Sequence, residues 1–150
     1  MDHPKAIGDR STMVAMLALN DAGYAVSIPF GENVRYDLVI DDGTRLARVQ
    51  CKTGRLRLGA VRFNVCSCYG HHLRPGQSRR DYRGDVDYFV VFCPETDRVY
   101  LVPIEELPMS TQAALRVDPP LNGQRLRIRF ADDYEIAAIS TGEPDATSGA

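Results

Sequence analysis

The sequence lacks any long apolar run: in 150 residues, no stretch approaches the roughly 18 apolar residues of a membrane span. Its first residues, MDHPKAIGDR, also lack the basic region followed by an apolar stretch that marks a secretory signal. These absences argue against membrane proteins and predict a cytoplasmic location with no membrane partner. The length suits one domain with a substantial core. We expect that domain over residues 1–137, followed by a small, polar, disordered tail over residues 138–150.

Cysteine is scarce, and its spacing lacks the pairs that structural zinc sites use. The four cysteines are Cys51, Cys66, Cys68 and Cys93, and only a C-x-C pair occurs. Zinc ligands usually pair as C-x2-C or C-x4-C. Cys51 and Cys93 fall in apolar strand-like runs, where a free thiol behaves as a small buried hydrophobe. A zinc-stabilised interaction module is therefore the weakest of the interpretations, and disulfides are disfavoured in a cytoplasmic chain.

Acidic residues are almost missing from one long segment. The net charge of −2 by itself argues against nucleic-acid binding. Between Arg45 and Arg83, however, ten Lys or Arg accompany one acid, Asp81, which leaves a local excess of nine positive charges. Such clustering is typical of a domain that binds a polyanion on one surface. A solvated arginine-rich surface is the alternative interpretation.

Hydrophobic periodicity predicts a first helix over residues 9–22, which Gly23 ends. Strands are predicted over Tyr24–Pro29, Tyr36–Asp41, Arg45–Lys52, Ala60–Val65, Tyr88–Cys93, Arg98–Pro103 and Gln124–Phe130. Residues 66–85 are polar, basic and rich in glycine, which predicts a long functional loop. A short helical stretch is expected near residues 109–115.

The stretch YDLVIDDGTRLARVQCKTGR predicts a β-hairpin, because Asp-Gly at 42–43 is a strong signal for a two-residue turn. With that turn, Asp37 lies opposite Arg48 and diagonal to Gln50. Lys52 follows on the same face because side chains alternate with period two. The opposite face is apolar and comprises Leu38, Ile40, Ala47, Val49 and Cys51. The hairpin therefore gathers an acid, an amide and an amine on one side.

These three groups suit a hard divalent cation. Mg2+ takes oxygen ligands, keeps several waters and needs only one or two carboxylates in addition to a substrate phosphate. In such a site the metal polarises a phosphodiester, and an ammonium offsets the charge that develops on it. Asp37 and Gln50 are candidate Mg2+ ligands, with Mn2+ as a substitute, and Lys52 is the candidate catalytic amine. An exposed hairpin face with unrelated polar residues is the alternative.

The run IGDRSTMVAMLALNDAGYAVSIPFGENVRYDLVIDDGTRLARVQCKTGR resembles the core of the PD-(D/E)xK nuclease superfamily. More narrowly, it resembles the group I intron-associated homing endonucleases, in which Q-x-K replaces the usual motif, as Gln50-Cys51-Lys52 does here. The resemblance continues through GAVRFNVCS and YRGDVDYFVVFCPETDRVYLVPIEEL, so that it covers roughly residues 5–137. It implies an α/β fold with a restriction-endonuclease-like core, in which helices flank a central mixed β-sheet. It also implies a DNA endonuclease that hydrolyses phosphodiester bonds.

Within this resemblance, Asp37 is the central metal ligand, Gln50 the second ligand and Lys52 the catalytic amine. The family tends to place a glutamate on the first helix, at the position that Thr12 holds here. Asp9, three residues earlier, is a second candidate for that role. The missing carboxylate keeps another interpretation open, in which a catalytically degenerate nuclease fold serves as a DNA-binding protein.

The basic segment supplies the candidate DNA contacts, since arginine suits both phosphate oxygens and guanine edges. These candidates are Arg55, Arg57, Arg62, Arg74, Arg79, Arg80 and Arg83. Two cuts in a duplex need two active centres, which points to a symmetric oligomer. Because the related endonucleases are dimers or tetramers, the resemblance implies a homodimer or homotetramer on double-stranded DNA. The leading interpretation is a Mg2+-dependent, site-specific endonuclease of homing or restriction-like type.

Overall fold

A computed structural model describes residues 3–31, 33–67, 80–81, 84–107, 111–119 and 128–136, with only the backbone of 66–67 and 80–81. In chain order, the elements within these ranges are α1 (Pro4–Asp21), β1 (Ala25–Ser27), β2 (Leu38–Asp41), β3 (Leu46–Thr53), β4 (Arg55–Arg57), β5 (Ala60–Asn64), β6 (Cys66–Ser67), β7 (Arg80–Asp81), β8 (Tyr88–Cys93), β9 (Arg98–Pro103) and β10 (Gln112–Arg116). Short 3-10 turns follow at Ile104–Glu106 and Ala131–Asp133. Within the described ranges, no helix is both long and apolar enough to cross a membrane.

The centre of the fold is a five-stranded sheet with the order β1-β2-β3-β8-β9. Its neighbours are antiparallel except β3 and β8, which run parallel, so the sheet is mixed. A parallel pair needs a crossover, and here the crossover contains β4 to β7. The expected α/β class with a central mixed sheet is confirmed, as are the predicted bounds of β8 and β9.

Helix α1 covers one face of this sheet with a stripe at helical spacing. Its fully buried residues are Ser11, Ala15 and Leu19, which recur every four positions. They pack against a cluster that contains Leu38, Ile40, Val49, Val90, Phe92 and Val99. The helix begins at Pro4 rather than at residue 9, with the His3 side chain accepting a hydrogen bond from the Lys5 amide. Gly23 ends it, as predicted, with a φ of 97°.

A second sheet, not a second helix, covers the other face. Its strand order is β10-β5-β4, and its apolar side chains join those of β8 and β9 in one cluster. The helical stretch expected near residues 109–115 is therefore wrong, because 112–116 pairs with β5 as strand β10. Ala113 and Leu115 alternate into the core, and this tertiary burial overrides the helix propensity of the sequence QAALR. Residues 124–127 lie outside the described residues, and 128–129 are not in a strand.

The hairpin register differs from the prediction: each residue of β2 faces a residue of β3 that lies two positions later in the sequence than predicted. The observed pairs Leu38 with Val49 and Asp41 with Leu46 leave a four-residue turn at 42–45, not a two-residue turn. The Asp42 carboxylate accepts hydrogen bonds from the backbone amides of Thr44 and Arg45, at 2.8 and 2.9 Å, and so stabilises the longer loop. A shift of two residues leaves the same side chains on each face of the hairpin, because side chains alternate with period two.

Gly54 joins the two sheets at the bend between β3 and β4. It is buried, and its amide donates to the Phe92 carbonyl at 2.8 Å. A Cβ at this position would lie 2.6 Å from Val61 Cγ1 and 2.8 Å from Val91 Cγ1. Only glycine therefore lets the active-site strand turn into the second sheet.

We expect Gly54→Ala to lower the free energy of unfolding by about 1–3 kcal/mol, because the added methyl overpacks this contact. Gly8→Ala is the matched control, since a Cβ on that helical glycine meets nothing within 4 Å. The control should stabilise the protein by about 0.5–1 kcal/mol. Urea unfolding of both variants measures the difference, and a Gly54→Ala variant as stable as the wild type would contradict the packing argument.

Candidate active site

Asp37 immediately precedes β2 and lies beside strand β3. The β2–β3 pairs end at Leu38 with Val49, and the Asp37 amide donates to the Val49 carbonyl at 2.8 Å. Asp37 Oδ2 accepts a hydrogen bond from the Cys51 amide at 2.9 Å, which holds the carboxylate against strand β3. Lys52 follows Gln50 on the same face. The structure thus brings the three predicted residues to one place.

Gln50 carries the most informative feature of this site. Its side-chain oxygen, Oε1, is buried and makes no hydrogen bond with any described residue. A buried acceptor without a partner costs about 1–3 kcal/mol, so such an atom needs an explanation. Gln50 alternates along β3 with Val49, which packs in the cluster beneath α1, so the Gln50 side chain lies on the opposite face of the central sheet.

Burial raises the pKa of the Asp37 carboxyl above its ordinary value. The hydrogen bond from the Cys51 amide and the positive charge of Lys52 act in the opposite direction but do not cancel the desolvation. The carboxylate is therefore short of compensating positive charge. A cation bound at Asp37 would supply it.

Lys52 extends over an aromatic ring. Its Nζ lies 5.7 Å from the centre of the Phe89 ring, and Phe89 itself is fully buried. Its aliphatic stem crosses apolar surface while the ammonium stays near Asp37, whose pKa it lowers. The ammonium is therefore placed close to the carboxylate without neutralising the site fully.

Thr12 lies on the helical side of the same strand. Its hydroxyl donates to the Gly8 carbonyl at 3.1 Å and also hydrogen bonds with the Cys51 thiol. Burial, with the charge of Asp37, raises the pKa of that thiol to about 12, so it stays protonated. Asp9 is exposed and pairs with Lys5 at 3.0 Å. Of the two weak candidates, Thr12 is the one in contact with the active-site strand.

The donor atoms present fit a hard cation better than a soft one. Asp37 offers a carboxylate and Gln50 an unpartnered amide oxygen, which are ligand types that Mg2+ accepts together with water and phosphate. The described residues hold no group of three or more His, Cys, Asp or Glu that would form a metal site unaided. Asp37 and Gln50 would therefore bind the ion with water and substrate.

Two ion pairs fix the segment that enters β8 beside this site. Arg35 pairs with Asp85 at 2.5 Å, and Arg48 pairs with Asp87 at 3.3 Å. Partial burial opposes ionisation of Asp87, but hydrogen bonds from the Arg48 backbone and guanidinium outweigh it and hold the pKa of Asp87 below its usual value. Arg48 also donates to the Gly84 carbonyl at 3.0 Å. The parallel pairing of β3 and β8 is anchored here.

Several predicted DNA-binding arginines share the outer face of the second sheet. Arg55 pairs with Arg62 across β4 and β5, and Arg57 points to the same side two residues later. Arg116 on β10 joins them, since both Arg116 and Arg57 lie opposite Ala60. Placing like charges side by side is unfavourable. This face is therefore suited to a polyanion.

Among the described residues, only Glu95 forms an ion pair with this arginine face. Arg55 pairs with Glu95 at 3.1 Å, whereas Arg62 and Arg116 donate to the carbonyls of Arg57 and Asp118. Sequence reasoning missed Arg116 because its strand was assigned to a helix. Arg74, Arg79 and Arg83 lie outside the described residues, and only the backbone of Arg80 is described, in β7.

Two solved structures are similar to this chain. The chain is similar to the solved structure of a bacterial homing endonuclease, I-Ssp6803I, with a TM-score of 0.67, 24% identity and 89% of each chain covered. It is also similar to Archaeoglobus fulgidus Hjc, a Holliday junction resolvase from an archaeal hyperthermophile. That match has a TM-score of 0.45 and 16% identity, and covers 73% of this chain and 83% of Hjc.

The first of these likenesses supports a restriction-endonuclease-like fold for the chain. No curated protein sequence matches the chain significantly. The sequence model of the PD-(D/E)XK endonuclease family matches residues 2–137, almost the whole chain. Because that match covers most of the chain, the chain belongs to the PD-(D/E)XK endonuclease family and is a DNA endonuclease.

Proposed function

We propose that this endonuclease cuts double-stranded DNA at a specific site in a Mg2+-dependent reaction, as homing or restriction enzymes do. The observation that carries the proposal is the buried, unpartnered Oε1 of Gln50 on strand β3, the strand to which the Asp37 carboxylate is hydrogen bonded at the next residue, Cys51. An oxygen acceptor left without a hydrogen bond next to a desolvated carboxylate is what a bound hard cation would explain. Mn2+, which also accepts oxygen ligands, is the expected substitute.

Each polar residue then has a distinct role. Asp37 and Gln50 would hold the ion, which polarises the scissile phosphodiester and lowers the pKa of a bound water. The Cys51 amide fixes the orientation of the Asp37 carboxylate through its 2.9 Å hydrogen bond. Lys52 places a positive charge where negative charge develops on the phosphate. The two sheets exclude water from the buried side of Gln50.

The arginine face of Arg55, Arg57, Arg62 and Arg116 adjoins this site, because β4 follows β3 after a single glycine. We assign it, together with Arg74, Arg79, Arg80 and Arg83, to DNA binding. Such contacts release counterions, so binding should weaken steeply as salt rises. Two active centres are needed for two cuts, and the proposal therefore includes a homodimer or homotetramer in the cytoplasm, of the group I intron-associated type.

The test is cleavage of a randomised duplex DNA library by the purified protein, with Mg2+ and separately with Ca2+. The proposal expects Mg2+-dependent cuts at one sequence and salt-dependent binding without cuts in Ca2+. Light scattering during the same experiment gives the oligomeric state. Cuts spread over all sequences would contradict site specificity, and cuts in the absence of any divalent ion would contradict the metal assignment.

The second candidate is a nuclease fold that binds DNA without cutting it. The position of Thr12 favours it, because the helix brings a hydroxyl, not a carboxylate, to the active-site strand. Selective binding to one sequence with no cuts in either Mg2+ or Mn2+ would establish this candidate.

A further inference from the structure

A small cleft lies between the first turns of α1, the start of β4 and the end of β8. It has a volume of about 150 Å³ and is lined by Ala6, Ile7, Arg10, Ser11, Arg55, Phe92 and Pro94. A single water needs only about 10–15 Å³ of such space, so the cleft has room for a larger group. Its walls carry two guanidinium groups and no carboxylate.

Arg10 is held in this cleft by stacking. Its Cζ lies 5.8 Å from the centre of the Phe92 ring, a cation–π distance. None of the described carboxylates forms an ion pair with it. A guanidinium carries five N–H donors in the plane of its fork, and stacking on a ring leaves those donors available. The side chain is thus positioned but not neutralised.

Arg55 faces Arg10 across the cleft and is held from behind. Glu95 accepts a hydrogen bond from Arg55 at 3.1 Å and another from the Leu56 amide at 3.0 Å. The pair is about two-fifths exposed, so Glu95 orients Arg55 more than it neutralises it. Two guanidiniums and one nearby carboxylate leave a net positive charge. The positive end of the α1 dipole adds to it, because Ala6 and Ile7 belong to the first turn.

We propose that Arg10 and Arg55 together bind one backbone phosphate of the DNA, close to the phosphate that is cut. The proposal rests on the proposed function and adds a binding residue, Arg10, outside the basic segment. Arg55 lies three residues beyond Lys52, a separation of at most about 10 Å along an extended chain. One DNA strand carries a phosphate every 3.4 Å or so of helix axis, about three phosphates over that length. The cleft therefore serves to fix the strand relative to the scissile bond.

The first test measures duplex DNA affinity against salt in Ca2+ for Arg10→Gln. Loss of one phosphate contact should lower the slope of log affinity against log salt by about 0.9. Arg45→Gln is the matched control, because it removes the same charge from an exposed position at the other end of β3, about 23 Å away. Equal slopes for Arg10→Gln and the wild type would overturn the proposal.

A double-substitution cycle tests whether the two arginines share a phosphate. The variant with both Arg10→Gln and Arg55→Gln should weaken binding by a smaller factor than the product of the factors for the two single variants. Arg57 lies outside the cleft, so Arg10→Gln combined with Arg57→Gln should weaken binding by the full product of the two single factors. If both double variants weakened binding by the full product, the idea that Arg10 and Arg55 share one phosphate would be overturned.

The wild-type measurement separates this proposal from the proposed function. A wild-type protein that binds no duplex at low salt would overturn both. A wild-type protein that binds duplex with a steep salt dependence, while Arg10→Gln matches Arg45→Gln, would overturn only the phosphate cleft. Urea unfolding of each variant ensures that the comparison is made between folded proteins.

Discussion

Lys52→Ala should reduce the rate of DNA cleavage by about 10²–10³-fold and leave duplex binding nearly unchanged. The ammonium lies close enough to Asp37 to oppose the rise of its pKa, so removing it takes away positive charge beside the proposed metal ligand. In the proposed function, binding depends on the arginine contacts, and Lys52 is not among them. Single-turnover cleavage in Mg2+ and equilibrium binding in Ca2+ measure the two effects separately.

The control for this experiment addresses packing. Because the Lys52 stem lies beside the Phe89 ring, alanine removes apolar contact as well as charge. Lys52→Met keeps the stem and removes only the ammonium, so it should lose as much cleavage as Lys52→Ala. Lys5→Ala, which removes an exposed ammonium from the start of α1, should cleave at the wild-type rate. Wild-type cleavage by Lys52→Met would show that the amine has no catalytic role.

The second large effect is a gain in apparent Mg2+ affinity, expected for Thr12→Glu. Thr12→Glu should lower the Mg2+ concentration for half-maximal cleavage by at least about tenfold, equivalent to about 1.4 kcal/mol. Thr12 hydrogen bonds with the Cys51 thiol, on which the charge of Asp37 also acts, so a glutamate at residue 12 would add a second carboxylate near Asp37, the proposed metal ligand. Ligand charge is the main determinant of affinity in oxygen-ligand sites. Cleavage measured over a Mg2+ titration shows the change.

Met13→Glu provides the matched control. It adds the same charge one position later on the same helix, where the side chain is 59% exposed and points away from the sheet. It should leave the Mg2+ requirement unchanged, apart from a small general electrostatic effect. An equal shift for Thr12→Glu and Met13→Glu would mean that net charge, not coordination, is responsible.

Local patterns in the sequence predicted the central sheet well. β8 and β9 were predicted within their observed bounds because each is an apolar run between turn signals. The two faces of the β2–β3 hairpin were also correct, since alternation survives a shift of two residues. The turn length was wrong because a single side chain, Asp42, caps the longer loop. The same Asp-Gly sequence is compatible with a two-residue turn and with this longer loop, so the residue types alone do not predict which one forms.

Long-range packing explains what the sequence did not reveal. Gln50 was expected on the polar side of the hairpin, but the burial of its side-chain oxygen was not predicted. The pairing of residues 60–64 with 112–116 into a second sheet was not predicted either. Arg116 and Arg10 were missed for the same reason, since their positions depend on elements distant in the chain. The assignments of Asp37, Gln50 and Lys52 to catalysis remain predictions of the sequence and its resemblance.

The bend at Gly54 has a consequence for redesign of the enzyme. One unbroken stretch, residues 50–57, carries the proposed metal ligand, the amine and two arginines of the DNA-binding face. The proposed DNA-binding and catalytic residues therefore cannot be exchanged as separate modules, because one backbone segment sets the distance between them. Inserting one residue after Gly54 would move the arginines by about 3.3 Å, close to the spacing of one nucleotide, and would reverse their face. The distance between the proposed DNA contacts of Arg55 and Arg57 and the proposed site of cleavage would therefore be set by this one segment of backbone.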